Sequence, residues 1–175
     1  MPTIDVQLRR HSVVSTRPFA EVVSRLTATI GRPDMHAFHG ALTAATTVDD
    51  LTAVVHQAIG ASGLMEFIRF DAGEVLRKER GGHGPMILRL VVGNPLIMKE
   101  MAKAVPDAAA YAPITILVDE RADGVHLSYD SMASLVAPYG SQSAVAVATD
   151  LDAQVLRLLE GAADGDSNDH SRLSR

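Results

Sequence analysis

The order of apolar and polar residues along the chain predicts short strands alternating with helices. Residues 3–14 alternate between apolar and polar side chains, which is typical of a half-exposed strand. Apolar residues then recur at helical spacing over residues 19–30, directly after Pro18, which suits the first turn of a helix. The pattern therefore predicts an opening strand and a helix that ends at Gly31.

Residues 33–60 have the pattern of a helical hairpin. Thr47 stands three residues before Asp50, the arrangement of a capping box, and an apolar stripe follows it. Strands are predicted next over residues 64–71 and 86–92, separated by a short helix and a glycine-rich loop.

The second half of the chain predicts two more strands, at 114–120 and 125–129, joined by a turn. A long amphipathic helix follows over residues 143–160, and its apolar stripe must share a buried surface with that of the first helix. Few of these connections could join parallel strands in βαβ units. We therefore predict an α+β fold, with a five-stranded, mainly antiparallel sheet, helices on one face and an inserted helical hairpin at about 33–60.

The length of 175 residues suits one domain, which we place at residues 1–161. Residues 162–175 are small, polar and acidic, and are predicted to form a mobile tail.

Composition narrows the classes of protein to consider. The absence of cysteine excludes disulfides, thiolate metal sites and thiol nucleophiles. A net charge of −5 argues against binding to nucleic acid, because phosphates require a basic face. No signal peptide and no apolar run long enough to span a membrane is visible, so we expect a cytoplasmic protein without a membrane partner.

The most specific stretch is residues 88–101, where an apolar strand runs directly into Gly93, Asn94 and Pro95. Asn94 is a good helix N-cap, Pro95 fits the first helical position, and Gly93 allows a sharp exit from the strand. The N–H groups of residues 96–98 would then favour an anion. The same spacing also fits a strand-to-helix turn with no ligand.

Arg89 is unusual because it interrupts a strand that otherwise looks buried. A buried guanidinium needs a partner. The partner is either an acidic side chain (Glu66, Asp71 or Asp119) or the carboxylate or phosphate of a ligand.

Other polar residues are candidates for the same site. We expect Arg69 and His126 on a partly polar sheet face, Tyr129 beside Asp130 at a strand end, and His83 in the glycine-rich loop. Tyr129 and Asp130 could form an acid/base pair, although Asp130 also suits a helix cap.

Histidines at residues 36, 39 and 56 have a spacing that can hold a metal. They lack the glutamate of the zinc protease motif, and we predict no metal site. The sequence identifies no cofactor.

Residues 86–140 resemble the domain of unknown function 302 family. The likeness consists of an apolar strand into Gly-Asn-Pro, two later prolines, a valine-rich strand, an acidic turn and a Ser-Tyr strand end. These positions are Gly93, Asn94, Pro95, Pro106, Pro113, Val118, Asp123, Gly124, Ser128 and Tyr129.

The resemblance implies a fold similar to the TATA-binding-protein-like β-α-β4-α architecture. Two features depart from the family: Ala72 follows Asp71 where the family often has histidine, and the hairpin at 33–60 is longer than the family core needs. Chemistry that depends on that histidine would be absent here. The family has no established biochemical role, so the resemblance implies a fold rather than a reaction.

Three classes of function are compatible with these patterns. The favoured one is a protein that binds a small ligand, an anion being one candidate, in a cleft between sheet and helices, where the Gly93-Asn94-Pro95 turn and Arg89 border one pocket with His83 at its rim. The alternatives are a small acid/base enzyme using the same cleft with His83 or His126, and a dimerisation or interaction module. We also predict a homodimer, because an antiparallel sheet of this size often leaves an edge or a face open.

Overall fold

The structure is a computed structural model that describes residues 3–163. Within these residues five strands form one sheet: β1 (Arg10–Ser15), β2 (Met65–Asp71), β3 (Ile87–Gly93), β4 (Ile114–Arg121) and β5 (Gly124–Asp130). Their order in the sheet is β1-β5-β4-β3-β2, and every neighbouring pair is antiparallel. The predicted five-stranded antiparallel sheet is confirmed.

The described helices are α1 (Phe19–Thr27), α2 (Met35–Ala44), α3 (Val48–Ala58), α4 (Gly73–Glu79), α5 (Pro95–Ala102), α6 (Ala108–Tyr111), α7 (Met132–Val136) and α8 (Gln142–Ala163). As predicted, α1 and α8 pack on the same face of the sheet, and they contact each other there. No helix of the described chain is long and apolar enough to cross a membrane.

The main core lies between the sheet and the two long helices. Leu90, Ile116 and Leu127 point from neighbouring strands toward Leu26 of α1 and Val155 of α8, and all five side chains are fully buried. Alternate strand residues point to the opposite face, which no helix covers to the same extent. The sheet therefore has one buried face and one open face, as an antiparallel sheet permits.

The helical hairpin of α2 and α3 leaves the core and returns to it at two glycines in backbone contact. A Cβ atom on Gly31 would lie 2.0 Å from the carbonyl oxygen of Ala58, and one on Gly60 would lie 2.1 Å from that of Thr29. The N–H groups of both glycines donate to the carbonyl oxygen of Leu64, at 2.9 and 3.0 Å. No larger residue fits at either position without moving the backbone.

Two helix predictions meet different outcomes. The capping box of Thr47 and Asp50 is confirmed, because both of its hydrogen bonds are present at the start of α3. The prediction that the first helix ends at Gly31 is wrong, because α1 ends at Thr27. Gly31 instead lies beside Met65 in an isolated bridge that brings the hairpin to the edge of the sheet.

The first strand is shorter than predicted, since it begins at Arg10 and not at residue 3. Its only neighbour, β5, ends at Asp130, where the chain turns into α7. Residues 3–9 consequently have no strand opposite them. At the other end α8 continues to Ala163, and the rest of the predicted tail lies outside the described residues.

One buried carboxylate joins β5, α7 and α8. Asp152 of α8 is only 8% exposed and accepts four hydrogen bonds, from Tyr129 Oη (2.6 Å), Ser131 Oγ (2.5 Å), Met132 N (2.8 Å) and Ala133 N (3.2 Å). The two backbone donors belong to the first turn of α7, where N–H groups have no partner within the helix. Asp152 therefore caps α7 from a neighbouring helix.

The phenol of Tyr129 is a buried hydrogen-bond donor to this carboxylate. Burial, and then the hydrogen bond to Asp152, raises the pKa of Tyr129 well above its ordinary value. Both causes favour the neutral phenol, because a phenolate would be desolvated and repelled by the carboxylate. Folding therefore favours the protonated form of Tyr129.

We expect replacement of Tyr129 by phenylalanine to lower the free energy of unfolding at neutral pH by about 1–3 kcal/mol, because a buried acceptor loses its donor. Because the pKa is raised in the folded state, the contribution of Tyr129 is fully present below about pH 10, the unfolded value, and is lost as the pH rises further. Urea unfolding at a series of alkaline pH values measures both effects. The account is contradicted if Tyr129→Phe keeps the full alkaline loss of stability seen in the wild type.

Candidate functional site

The junction between β3 and α5 needs a glycine because two other segments pack against it. Gly93 is buried, and a Cβ atom on it would lie 3.1 Å from Pro113 Cβ and 3.6 Å from the ring of Phe67. Gly93 therefore allows a close approach of side chains from β2 and the start of β4, in addition to the sharp exit predicted from the sequence.

Asn94 uses both ends of its side-chain amide within the fold. Its Oδ1 accepts from Leu96 N at 2.8 Å, which is the predicted N-cap, and its Nδ2 donates to the carbonyl oxygen of Gly63 at 2.9 Å. Pro95 occupies the first helical position as predicted. The N–H group of Met98 donates to the backbone oxygen of Asn94 at 3.1 Å. Two of the three N–H groups expected to face an anion are thus already bonded.

Beside this junction lies a cavity of about 240 Å³, which we call the junction cavity. It opens where the end of the sheet meets helices α2, α5 and α8. Its side-chain walls are Phe38, His39 and Leu42 of α2, Phe67 of β2, Ile97, Met98 and Met101 of α5, Pro113 and Ile114 at β4, and Leu151 of α8. The Gly-Asn-Pro turn forms the remaining edge.

Phe67 reaches the junction cavity because of an irregularity in its strand. The pairing of β2 with β3 shifts register between Glu66 and Ile68, which leaves Phe67 as an extra residue. Such a bulge redirects a side chain that regular alternation would place elsewhere.

The lining of the junction cavity is almost wholly apolar. Its only polar side chains are those of Asn94, whose amide is already bonded, and His39, which is exposed. None of the described residues that line it is acidic, lysine or arginine. The geometry can exclude water around an apolar molecule, but it offers no pair of groups for acid/base chemistry.

Arg89 does not border the junction cavity. It lies exposed on the open face of the sheet, opposite Phe70 on one neighbouring strand and Leu117 on the other. The predicted ion pair is not formed, and the guanidinium donates to Thr115 Oγ1 at 3.3 Å. Because Arg89 is exposed, solvent supplies what a buried arginine would require of a carboxylate.

The open face also holds a depression of about 370 Å³, which Arg89 lines together with Thr115 and Ser128 of the sheet and Tyr111 and Leu135 of α6 and α7. Arg10 borders the same depression and is held by Asp130 through two hydrogen bonds of 2.6 and 2.8 Å. Arg89 and Asn94 therefore line different cavities, which have Pro113 and Ile114 in common.

Arg69 is occupied by an ion pair at the outer strand β2. Its guanidinium donates to both carboxylate oxygens of Glu66, at 3.0 and 2.8 Å, and Arg32 approaches the same carboxylate at 3.6 Å. The hydrogen bond from Arg69 lowers the pKa of Glu66, and the charge of Arg32 adds to the effect. Arg69 lines neither the junction cavity nor the depression at Arg89.

The two candidate histidines do not line the junction cavity. His126 is buried between strands and contacts Asp123 at 2.9 Å, and this hydrogen bond lowers the pKa of Asp123. His83 is exposed in the loop before β3. That strand has seven residues and spans roughly 23 Å, which separates His83 from Asn94.

Tyr129 lies in the buried arrangement with Asp152 and does not line the junction cavity. Among the described residues no group of three or more histidines and carboxylates is placed to hold a metal ion.

Several cavity residues were not identified from the sequence. Phe38 and Leu42 lie within the hairpin predicted over residues 33–60, where nothing distinguishes them from core residues, and identifying Phe67 requires knowledge of the strand register. Leu151 was expected in the core and is nearly buried there. Apolar residues that line a cavity carry no sequence signal that distinguishes them from residues that fill a core.

The arrangement of a five-stranded antiparallel sheet, helices on one face and a Gly-Asn-Pro junction defines a known class of domain. The family described as "Domain of unknown function DUF302" matches residues 40–162, and the chain belongs to this family. The match extends further toward the N-terminus than residues 86–140, on which the resemblance was strongest. No curated protein matches the chain.

A solved structure gives the same fold. The crystal structure of an uncharacterized conserved protein DUF302 from Bacillus stearothermophilus superposes with a TM-score of 0.61 at 13% sequence identity. The match covers 87% of this chain and 97% of that one. At this identity the likeness supports the fold alone.

We expect Asn94→Ala to lower the free energy of unfolding by about 2 kcal/mol, because it removes the cap of α5 and the donor to Gly63. Asn94→Ser should cost about half as much, since serine caps a helix but is too short to reach Gly63. Chemical denaturation of both variants measures the difference. Equal stability of Asn94→Ala and the wild type would show that neither hydrogen bond matters.

Proposed function

We propose that the protein binds a small, uncharged, apolar molecule in the junction cavity. The observation that carries the proposal is the apolar lining of this cavity, in which the amide of Asn94 is already bonded at both ends. A ligand there gains contact with apolar walls and needs no polar partner from the protein.

The volume limits the size of the ligand. An apolar cavity of roughly 150 Å³ is known to take up benzene, and sites for drug-sized molecules start near 300 Å³. At about 240 Å³, the junction cavity has room for one aromatic ring with a short substituent, or for a branched aliphatic molecule of similar size. A nucleotide or a larger cofactor is too big.

The lack of a cation argues against the anionic ligand suggested by the sequence. Moving a carboxylate from water into an apolar site costs several kcal/mol unless a partner compensates. The nearest candidate from the sequence, Arg89, lines the depression on the open face instead. An uncharged ligand is therefore the better fit.

The chemistry of the walls favours an aromatic ligand over an aliphatic one. Phe38 and Phe67 can pack edge-to-face against a ring, and the sulfur atoms of Met98 and Met101 make favourable contacts with ring edges. These contacts add to the burial of apolar surface.

Binding is also favoured over the alternative of acid/base catalysis. Catalysis needs a titratable group within reach of the bound molecule. Neither His83 nor His126 lines the junction cavity, and His39 is the one titratable side chain among its described walls.

Methionine methyl NMR tests the proposal with internal controls. On titration with toluene, we expect the methyl signals of Met98 and Met101 to shift and saturate, because both line the cavity. The signals of Met86 and Met132 should stay unchanged, since neither residue lines it. Benzoate, which has the same ring and a charge, should bind more weakly.

A matched pair of variants on α2 completes the test. Leu42→Trp fills the cavity and should abolish the toluene shifts, whereas Ala44→Trp adds the same side chain at an exposed position and should leave them intact. The proposal is contradicted if toluene causes no saturable shift at Met98 and Met101, or if Leu42→Trp binds as the wild type does.

A further inference from the structure

Residues 3–9, which we call the arm, keep the pattern of a strand without having a partner. Their apolar and polar side chains alternate, and they form no strand pairing within residues 3–163. Ile4 is 57% exposed and Leu8 is 47% exposed, so the apolar side of the arm faces solvent. A segment with the alternation of a strand, no strand beside it among the described residues and an exposed apolar side is suited to pairing with another strand.

The arm continues directly into β1, an edge strand of the sheet. β1 pairs with β5 along one side, and no other strand of residues 3–163 pairs with its outer side. The carbonyl oxygen of Arg9 accepts from Ser131 N at 2.9 Å, so the backbone of Arg9 faces β5. In an extended chain the backbone groups of alternate residues, Leu8, Val6 and Ile4, then face the outer side.

We propose that the arm pairs with the arm of a second copy of this chain, antiparallel about a twofold axis at Gln7. The two five-stranded sheets then join, through the arms and the start of β1, into one ten-stranded sheet. In this pairing the outward backbone groups of Val6 form hydrogen bonds with those of Leu8 in the other copy. The backbone groups of Leu8 do the same with those of Val6 in the other copy.

Charge complementarity selects this register. With Gln7 opposite Gln7, Asp5 of each copy lies opposite Arg9 of the other, which gives two pairs of opposite charge. A shift of two residues, which centres the axis on Val6 or Leu8, leaves Asp5 and Arg9 opposite uncharged arm residues or histidine. A shift that centres it on Arg9 sets two arginines face to face.

The same register also places the apolar sides of both arms on the same face of the joined sheet. Even-numbered arm residues lie on the side of Ser12 and Val14, which is the open face. Ile4, Val6 and Leu8 of both copies would therefore form one apolar cluster on that face. A second copy thus covers the apolar side that the chain leaves exposed.

Single-cysteine variants test the pairing sharply, because the chain has no cysteine of its own. Gln7→Cys places two thiols opposite each other in a non-hydrogen-bonded pair, where Cβ atoms are close enough for a disulfide. We expect it to form a covalent dimer on mild oxidation several-fold faster than Gln57→Cys, an exposed control on α3. In this register Val6 lies opposite Leu8 of the other copy, so a single cysteine at either position has no thiol opposite it. Val6→Cys and Leu8→Cys should therefore cross-link more slowly than Gln7→Cys.

Charge reversal supplies a second readout by sedimentation. Wild type should sediment as a dimer at micromolar concentration, Asp5→Arg should dissociate more readily, and the double variant Asp5→Arg with Arg9→Asp should recover the dimer. The proposal is overturned by a monomeric wild type, by cross-linking of Gln7→Cys no faster than that of Gln57→Cys, or by faster cross-linking at Val6 or Leu8. The junction cavity contains no arm residue, so toluene binding is tested independently.

Discussion

The side chain of Asn94 makes two hydrogen bonds that hold together the segments around the junction cavity. One bond starts α5, and the other fixes the loop at Gly63 that leads into β2. These bonds therefore fix the start of β2, the end of β3 and the start of α5 relative to one another. Phe67 and Pro113 can then approach Gly93 closely and still leave a cavity beside it.

The way in which polar groups are bonded within the fold explains why the junction cavity and the open face of the sheet differ in chemistry. At the junction the polar atoms of Asn94 are used within the fold, and the remaining walls are apolar. The unpaired guanidinium of Arg89 and the ion pair of Arg10 with Asp130 lie on the open face, where water solvates them. A charged ligand and an apolar ligand would consequently be directed to different cavities, the charged one to the depression at Arg89 and the apolar one to the junction cavity.

Local patterns predicted the parts of the fold that depend on local chemistry. The strand into Gly93, the cap at Asn94 and the antiparallel sheet follow from spacing and capping rules that need few distant contacts. The bulge at Phe67 could not be predicted, because it depends on how β2 pairs with β3. Asp152 was missed for a similar reason, since its partners are 19 to 23 residues away and meet it only after packing. The unpaired arm was assigned to a strand because alternation predicts extended backbone but not a partner.

The central claim is that the junction cavity accepts an apolar molecule in the folded protein. Diffraction from crystals held under xenon gas tests it directly, because xenon enters apolar cavities without needing a polar contact. The account predicts a xenon peak in the cavity, in contact with Phe38, Phe67 and Met101. No peak there, or peaks confined to the open face around Arg89, would contradict it.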